Sequence, residues 1–163
     1  MNATHLHLML NHVPVLGTAF GLGLLVFGLW RRSTELKKVA LGVFVLAALA
    51  TVPVYLTGEP AEDGVKSLPG VSHAFMEEHE KAAGAAFTGV AVLGVAAFVG
   101  LIVYRRGRAL PVWFGVSSVV AALIVSGLMG WAATLGGQIR HSEIRGGGPQ
   151  THGSVGGTGT AGF

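Results

Sequence analysis

Cysteine is absent from this chain of 163 residues, and charged residues make up only 12% of it. Without cysteine the chain forms no disulfide, no thiolate metal site and no covalent CxxCH haem attachment. The shortage of charge, together with 51% hydrophobic residues and a mean hydropathy of +0.61, excludes an ordinary soluble domain. We therefore expect a protein of the lipid bilayer, whose formal charge of +3 reflects membrane topology and not nucleic-acid binding.

The motifs of several enzyme classes are missing as well. No Gly-Lys-Ser/Thr follows the glycines of the first apolar segment, which excludes a phosphate-binding loop. Neither an HExxH zinc motif nor a nucleophile elbow occurs. The middles of the apolar segments are almost uniformly apolar, which argues against a transporter. We expect an electron-transfer or structural component and not an enzyme in its own right.

Four apolar stretches, each long enough to cross about 30 Å of hydrocarbon, occupy most of the chain. They run roughly over residues 6–30, 36–57, 82–104 and 110–135. Ser33 predicts the start of the second helix and Gly58 its end, while Pro111 suits the first turn of the fourth. The short connections predict an all-α, up-down-up-down four-helix bundle integral to the membrane, formed by residues 1–145. The glycine-rich residues 146–163 predict a flexible tail.

The distribution of charge predicts the orientation of this bundle. Seven of the eleven basic residues fall in the loops after the first and third segments, together with a single acid, whereas the opposite side holds four basic and seven acidic residues. Cytoplasmic loops carry the excess of lysine and arginine in membrane proteins. We therefore expect a multi-pass protein of the bacterial inner membrane, with both termini on the periplasmic side.

All seven histidines fall on this predicted periplasmic side, which indicates a site there. They are His5, His7, His12, His73, His79, His141 and His152. At about 100° per residue, His5 and His12 share one face of the first helix, while His7 points roughly to the other side. Only His5 and His12 are therefore expected to reach the bundle interior from this helix. Pro14 removes a backbone donor nearby and should loosen the helix around Leu10.

His12 and His79 form the predicted central pair. His12 lies about two turns inside an apolar segment, where a polar group is costly unless it is paired, and His79 precedes a run of small residues. Two imidazoles on facing helices, with thin walls for a flat ring, are what a membrane b-type haem requires. We expect haem b between them. The alternative for His12 is an interhelical hydrogen bond. The acids around His79 either face solvent or orient the His79 ring.

A third cluster follows the fourth segment on the same side. Arg140 could pair with a haem propionate or with a loop acid. His141, with His5 and His7, could form a second ligand set or a copper or zinc site. His73 and His152 are expected to lie outside any such site.

Three segments resemble a bacterial family of uncharacterised four-helix membrane proteins. They are NHVPVLG in the first helix, EEHEKAA opening the third and GGQIRHSEIR after the fourth. The resemblance covers roughly residues 4–145. It implies a four-helix bundle in which His12 and His79 are the haem ligands, as in small membrane b-type cytochromes. The chain departs from the simplest form of that pattern by His5, His7 and the segment PVYLTGEPAED.

Two functions follow from these residues. In the first, a b-type haem near the periplasmic face takes electrons from a quinol or from another subunit of a membrane redox complex. In the second, the chain is a non-catalytic accessory subunit or assembly factor whose outward histidines bind copper, zinc or a partner protein. Iron, copper and zinc contents distinguish the two.

Overall fold

Every regular element in the part of the chain that the structure describes is a helix. The computed structural model describes residues 3–64, 66, 67 and 70–139. Its helices are α1 (Ala3–Leu10), α2 (His12–Trp30), α3 (Thr34–Asp63), α4 (His73–Val103) and α5 (Val112–Gln138). With α1 and α2 counted as one span, four helices are long and apolar enough to cross a membrane. The prediction of an all-α, multi-pass membrane protein is confirmed at this level.

The first span is interrupted at Asn11 because of the proline three residues later. Proline has no N–H, so Pro14 leaves the carbonyl of Leu10 without its usual helical donor. The boundary between α1 and α2 falls at this point, as the sequence predicts. The backbone still turns helically there, since the Asn11 N–H donates to the His7 carbonyl at 2.9 Å.

Helices α3 and α4 are longer than predicted at the end that holds the histidines. Ser33 begins α3 as expected, its Oγ accepting from the Leu36 N–H at 3.3 Å. However, α3 continues past Gly58 to Asp63, and α4 begins at His73, well before the predicted start at residue 82. Hydropathy marks only the part of a helix that lies in hydrocarbon, and polar residues extend both helices beyond it.

Close contacts between the helices occur where small residues face each other. A Cβ atom added at Gly17 would lie 3.3 Å from the Ala47 Cβ, and one added at Gly94 would overlap the Ala48 side chain. Helix α3 thus packs closely on both α2 and α4; α4 packs on α5, which also contacts α2. The largest fully buried side chains are Leu25, Leu41, Phe44, Val90 and Thr18.

The outer surface of these helices is apolar. Phe20, Leu46, Val95 and Trp131 are each more than half exposed. In water such a surface would drive aggregation, whereas lipid chains cover it without cost. A charged residue is nevertheless buried at the opposite end from the histidines, where the Lys37 Nζ donates to the carbonyl of residue 110 at 3.2 Å. This bond ties the start of α3 to the segment that precedes α5.

Replacing Gly94 with alanine is expected to destabilise the protein by about 1–3 kcal/mol, because the new methyl group overpacks the contact with Ala48. Gly23→Ala is the matched control, since nothing lies within 4 Å of its added Cβ. That variant should be neutral or slightly stabilising, because alanine favours a helix over glycine. Thermal unfolding in detergent micelles measures both. Equal effects would contradict the close approach of α3 and α4.

Candidate functional site

A cavity of about 380 Å³ lies between the helices at the end where α3 stops and α4 begins. Three of the five histidines that the structure describes line it: His7 from α1, His12 from α2 and His79 from α4. Small and apolar residues form most of the remaining wall, including Pro14, Val15, Val54, Leu56, Gly58, Ala83, Ala86, Met129, Ala132 and Ala133. The two histidines of the predicted central pair therefore share one cavity.

The ring of His79 is held by helix α5. Its Nδ1 lies 2.8 Å from the Ala132 carbonyl oxygen. A carbonyl only accepts hydrogen bonds, so Nδ1 carries the proton and Nε2 of the neutral ring is left as an acceptor. Gly136 lies against the same ring, since a Cβ added there would be 3.1 Å from the His79 Cε1. A backbone carbonyl thus orients the His79 ring. One alternative from the sequence is that a flanking acid orients it.

The ring of His7 is held in the same manner by helix α3. Its Nδ1 lies 3.0 Å from the Val54 carbonyl oxygen and 3.3 Å from the Thr57 Oγ1. The Thr57 hydroxyl donates to the Pro53 carbonyl at 2.8 Å, which leaves its oxygen free to accept from His7. His7 is half-buried between α1 and α3, with Nε2 as its remaining acceptor.

The helical-face prediction for the first span differs from the structure. His7, expected to point away from the interior, packs on α3, whereas His5 and His12 are exposed. His12 still lines the cavity, but its Nδ1 bonds to the Leu8 carbonyl of its own span at 3.2 Å. Both α1 and α2 pack on α3, but the span is interrupted between them at Asn11. A single helical wheel assumes one unbroken helix and does not describe this span.

Three carboxylates of the described residues line the cavity: Glu59 and Glu62 from α3, and Glu80 from α4. In the sequence, Glu59 and Glu62 count only toward the charge distribution that predicts the orientation. Glu62 is partly buried and lines the same cavity as His79. In contrast, Glu77 pairs with Lys81 on the exposed surface at 2.7 Å, as the solvent-facing interpretation expects.

A pattern in α3 could have indicated Glu62. Thr51, Tyr55 and Glu62 are spaced by four and seven residues, which places them on one face of a continuous helix, and all three line the cavity. The pattern is visible only if the helix continues past Gly58. Because Gly58 predicts the end of the helix, the sequence alone places Glu62 in a loop.

Two further features of the cavity wall were not predicted. The Asn11 Oδ1 is buried without a hydrogen-bond partner among the described residues, at the interruption of the first span. Tyr55 of α3 stacks on Phe87 of α4, with ring centroids 4.4 Å apart and planes inclined by 23°. The cavity therefore offers an unpaired buried acceptor and a flat aromatic surface in addition to the three imidazoles.

Several predicted site residues are not brought together by the described structure. Arg140, His141 and His152 lie outside the described residues, so their predicted roles stay predictions. Within residues 3–64, 66, 67 and 70–139, no three His, Asp or Glu side chains are grouped closely enough to hold a metal ion. His5 does not line the cavity that holds His7.

Comparison with known proteins adds no relative to this description. No protein-family model, curated protein or solved structure matches the chain. The resemblance noted from the three sequence segments stays a prediction, and the geometry of the cavity is what bears on function.

Gly136→Val is expected to displace the His79 ring, because a Cβ at this position already lies 3.1 Å from Cε1 and 3.3 Å from Nδ1. Gly130→Val on the same helix is the control, since nothing lies within 4 Å of its added Cβ. NMR of isotope-labelled histidine, assigned with His79→Gln, reports the Nδ1–H signal. It should shift and exchange faster with solvent in Gly136→Val only. An unchanged signal in both variants would show that α5 does not hold the ring.

Proposed function

We propose that the protein is a membrane-embedded electron-transfer component that holds one b-type haem in this cavity. The observation that carries the proposal is that His7 and His79 line one cavity while each donates its Nδ1–H to a carbonyl of a neighbouring helix. Metal-bound histidines typically donate their other ring N–H in this way, which fixes the tautomer and aims Nε2 at the metal.

The lining of the cavity fits a flat macrocycle. Gly58, Ala83 and Ala132 keep parts of the wall thin, and Tyr55 with Phe87 provides a planar apolar surface. Val15 and Leu56 line the cavity and are themselves exposed on the lipid side, so a ring larger than the void can extend toward the bilayer. Such a mainly apolar site with a few placed polar groups is typical of cofactor pockets.

His79 is one residue that would hold the haem iron, and the second would come from the first span. Sequence and resemblance favour His12, while the geometry favours His7. His7 is half-buried and is fixed from another helix, whereas His12 is exposed and bonds within its own span. A fixed ring loses less conformational entropy when it binds a metal, so we assign the second position to His7 and keep His12 as the competing ligand.

With His7 and His79 as the residues that would hold it, a b-type haem would supply one-electron transfer. The carbonyls of Val54 and Ala132 hold the imidazole rings of His7 and His79 in place, and the apolar wall of the cavity keeps water out. Glu59, Glu62 and Glu80 place negative charge at the cavity, so haem propionates would have to point away from them. Arg140 is the proposed propionate partner.

The proposal includes an up-down-up-down bundle in the bacterial inner membrane, with both termini and the haem on the periplasmic side. Its support is the excess of arginine and lysine in the two loops at the other end of the helices. The electron donor would be a quinol or a neighbouring subunit of a redox complex. The copper or zinc accessory protein gains no specific support from the described side chains and serves as an alternative outcome of the test.

The purified protein, expressed with haem supply, is expected to show a reduced-minus-oxidised b-type spectrum that His79→Ala abolishes. Comparing His7→Ala with His12→Ala identifies the second ligand, and we expect the larger loss of haem for His7→Ala. The matched control is His73→Ala, because His73 is exposed on the same helix as His79 and does not line the cavity.

Elemental analysis of the same preparation separates the alternatives. Iron in proportion to protein supports the haem proposal, and copper or zinc favours the accessory protein. A colourless preparation that cannot be reconstituted with haem would overturn the proposal.

A further inference from the structure

A second depression, of about 510 Å³, lies at the opposite end of the molecule from the histidines. It is lined by the last two residues of α4, Ile102 and Val103, and by Arg105, Arg106 and Arg108 from the loop that follows. No acidic residue occurs between positions 102 and 112. The depression therefore combines an apolar floor with a concentrated positive charge.

The backbone of the loop gathers the three arginines. Arg106 and Gly107 both adopt left-handed conformations, with φ of 57° and 79°. This turn brings the Arg108 backbone nitrogen to 3.4 Å from the Arg105 carbonyl oxygen, to which its N–H donates. Left-handed backbone is disfavoured for a residue with a side chain, so arginine at position 106 has a conformational cost that glycine would avoid.

The arginines have no anionic partner in the part of the chain that the structure describes. The two ion pairs found there involve Lys66 and Lys81, at the other end of the helices. A further cation, Lys37, is buried next to the same loop; its Nζ donates to the Leu110 carbonyl, with no carboxylate partner among the described residues. An anion from outside the chain would complement this charge.

The surface below the arginines is suited to hydrocarbon. Ile102 and Val103 are each 46% exposed, and the exposed Phe98 and Val99 continue the apolar surface along α4. Guanidinium groups above a lipid-facing apolar strip match a phosphodiester followed by acyl chains. Arginine is well suited to the phosphate, because its planar fork donates two hydrogen bonds to two oxygens.

We propose that this depression is a binding site for an anionic phospholipid, which it recognises through a headgroup phosphate whose negative charge no headgroup cation neutralises and through the first part of the acyl chains. The site is independent of the proposed haem, since it shares no residue with the histidine cavity. Basic pockets beside membrane-spanning helices are a recurrent form of lipid recognition.

Native mass spectrometry of the full chain in detergent, with phosphatidylglycerol or phosphatidylcholine added, tests this site. The wild-type protein is expected to retain phosphatidylglycerol in preference to phosphatidylcholine. R105Q/R106Q/R108Q should weaken retention by roughly fivefold for each arginine removed. R31Q/R32Q/K38Q is the matched control, because it removes the same number of charges from the other basic loop. We expect it to stay within about twofold of wild type, because none of these three residues lines the depression.

A second variant distinguishes a loss of lipid binding from misfolding. Arg106→Gly removes one guanidinium and places glycine at a left-handed position, so it should fold at least as well as wild type and still lose lipid. Equal losses in the two triple variants would overturn the proposal, as would equal retention of both lipids by the wild type. Displacement of the lipid by inorganic phosphate would also overturn it, because the depression would then be a general anion site.

Discussion

Inside a bilayer a peptide group finds no water, so the backbone must satisfy its own hydrogen bonds, and continuous helices are the simplest solution. The points where this chain departs from that solution lie beside the histidine cavity. Pro14 deprives the Leu10 carbonyl of its helical donor, and Pro53 lies inside α3 one turn before Thr57. The Thr57 hydroxyl and the His7 ring donate to the carbonyls of Pro53 and Val54, which are not the carbonyls that the prolines leave without a donor. Side chains thus add hydrogen bonds to the backbone where the site is formed.

The same constraint explains how the imidazoles are held. Few side chains in these helices can accept a hydrogen bond, but every residue has a carbonyl oxygen with a second lone pair. His7 and His79 use such carbonyls, from Val54 and Ala132. The acceptors belong to rigid helices, so they position the rings more firmly than a carboxylate on a flexible side chain would. Small residues such as Gly136 let the helices approach closely enough for these bonds to form.

Charge divides the molecule into two ends with different chemistry. The end with the cavity has histidines and carboxylates, whereas the other end has the arginine-rich loop and the buried Lys37. The apolar segments between them lie where ionised groups are costly. The two proposed sites are therefore separated by most of the length of the helices, and neither depends on residues of the other.

Several local features could be predicted from the sequence alone, because each depends on a few neighbouring residues. They are the positions of the four spans, the cap at Ser33 and the interruption near Pro14. The position of the five described histidines at one end could be predicted for the same reason. Three features could not be predicted from the sequence. These are the choice between His7 and His12, the position of Glu62 in the site and the carbonyl partners of the histidine rings. They depend on which helix lies opposite each residue, and contacts between α1 and α3 or between α4 and α5 join residues about 50 positions apart. Local pattern determined the helices of this protein, and packing between distant segments decided which side chains meet in its cavity.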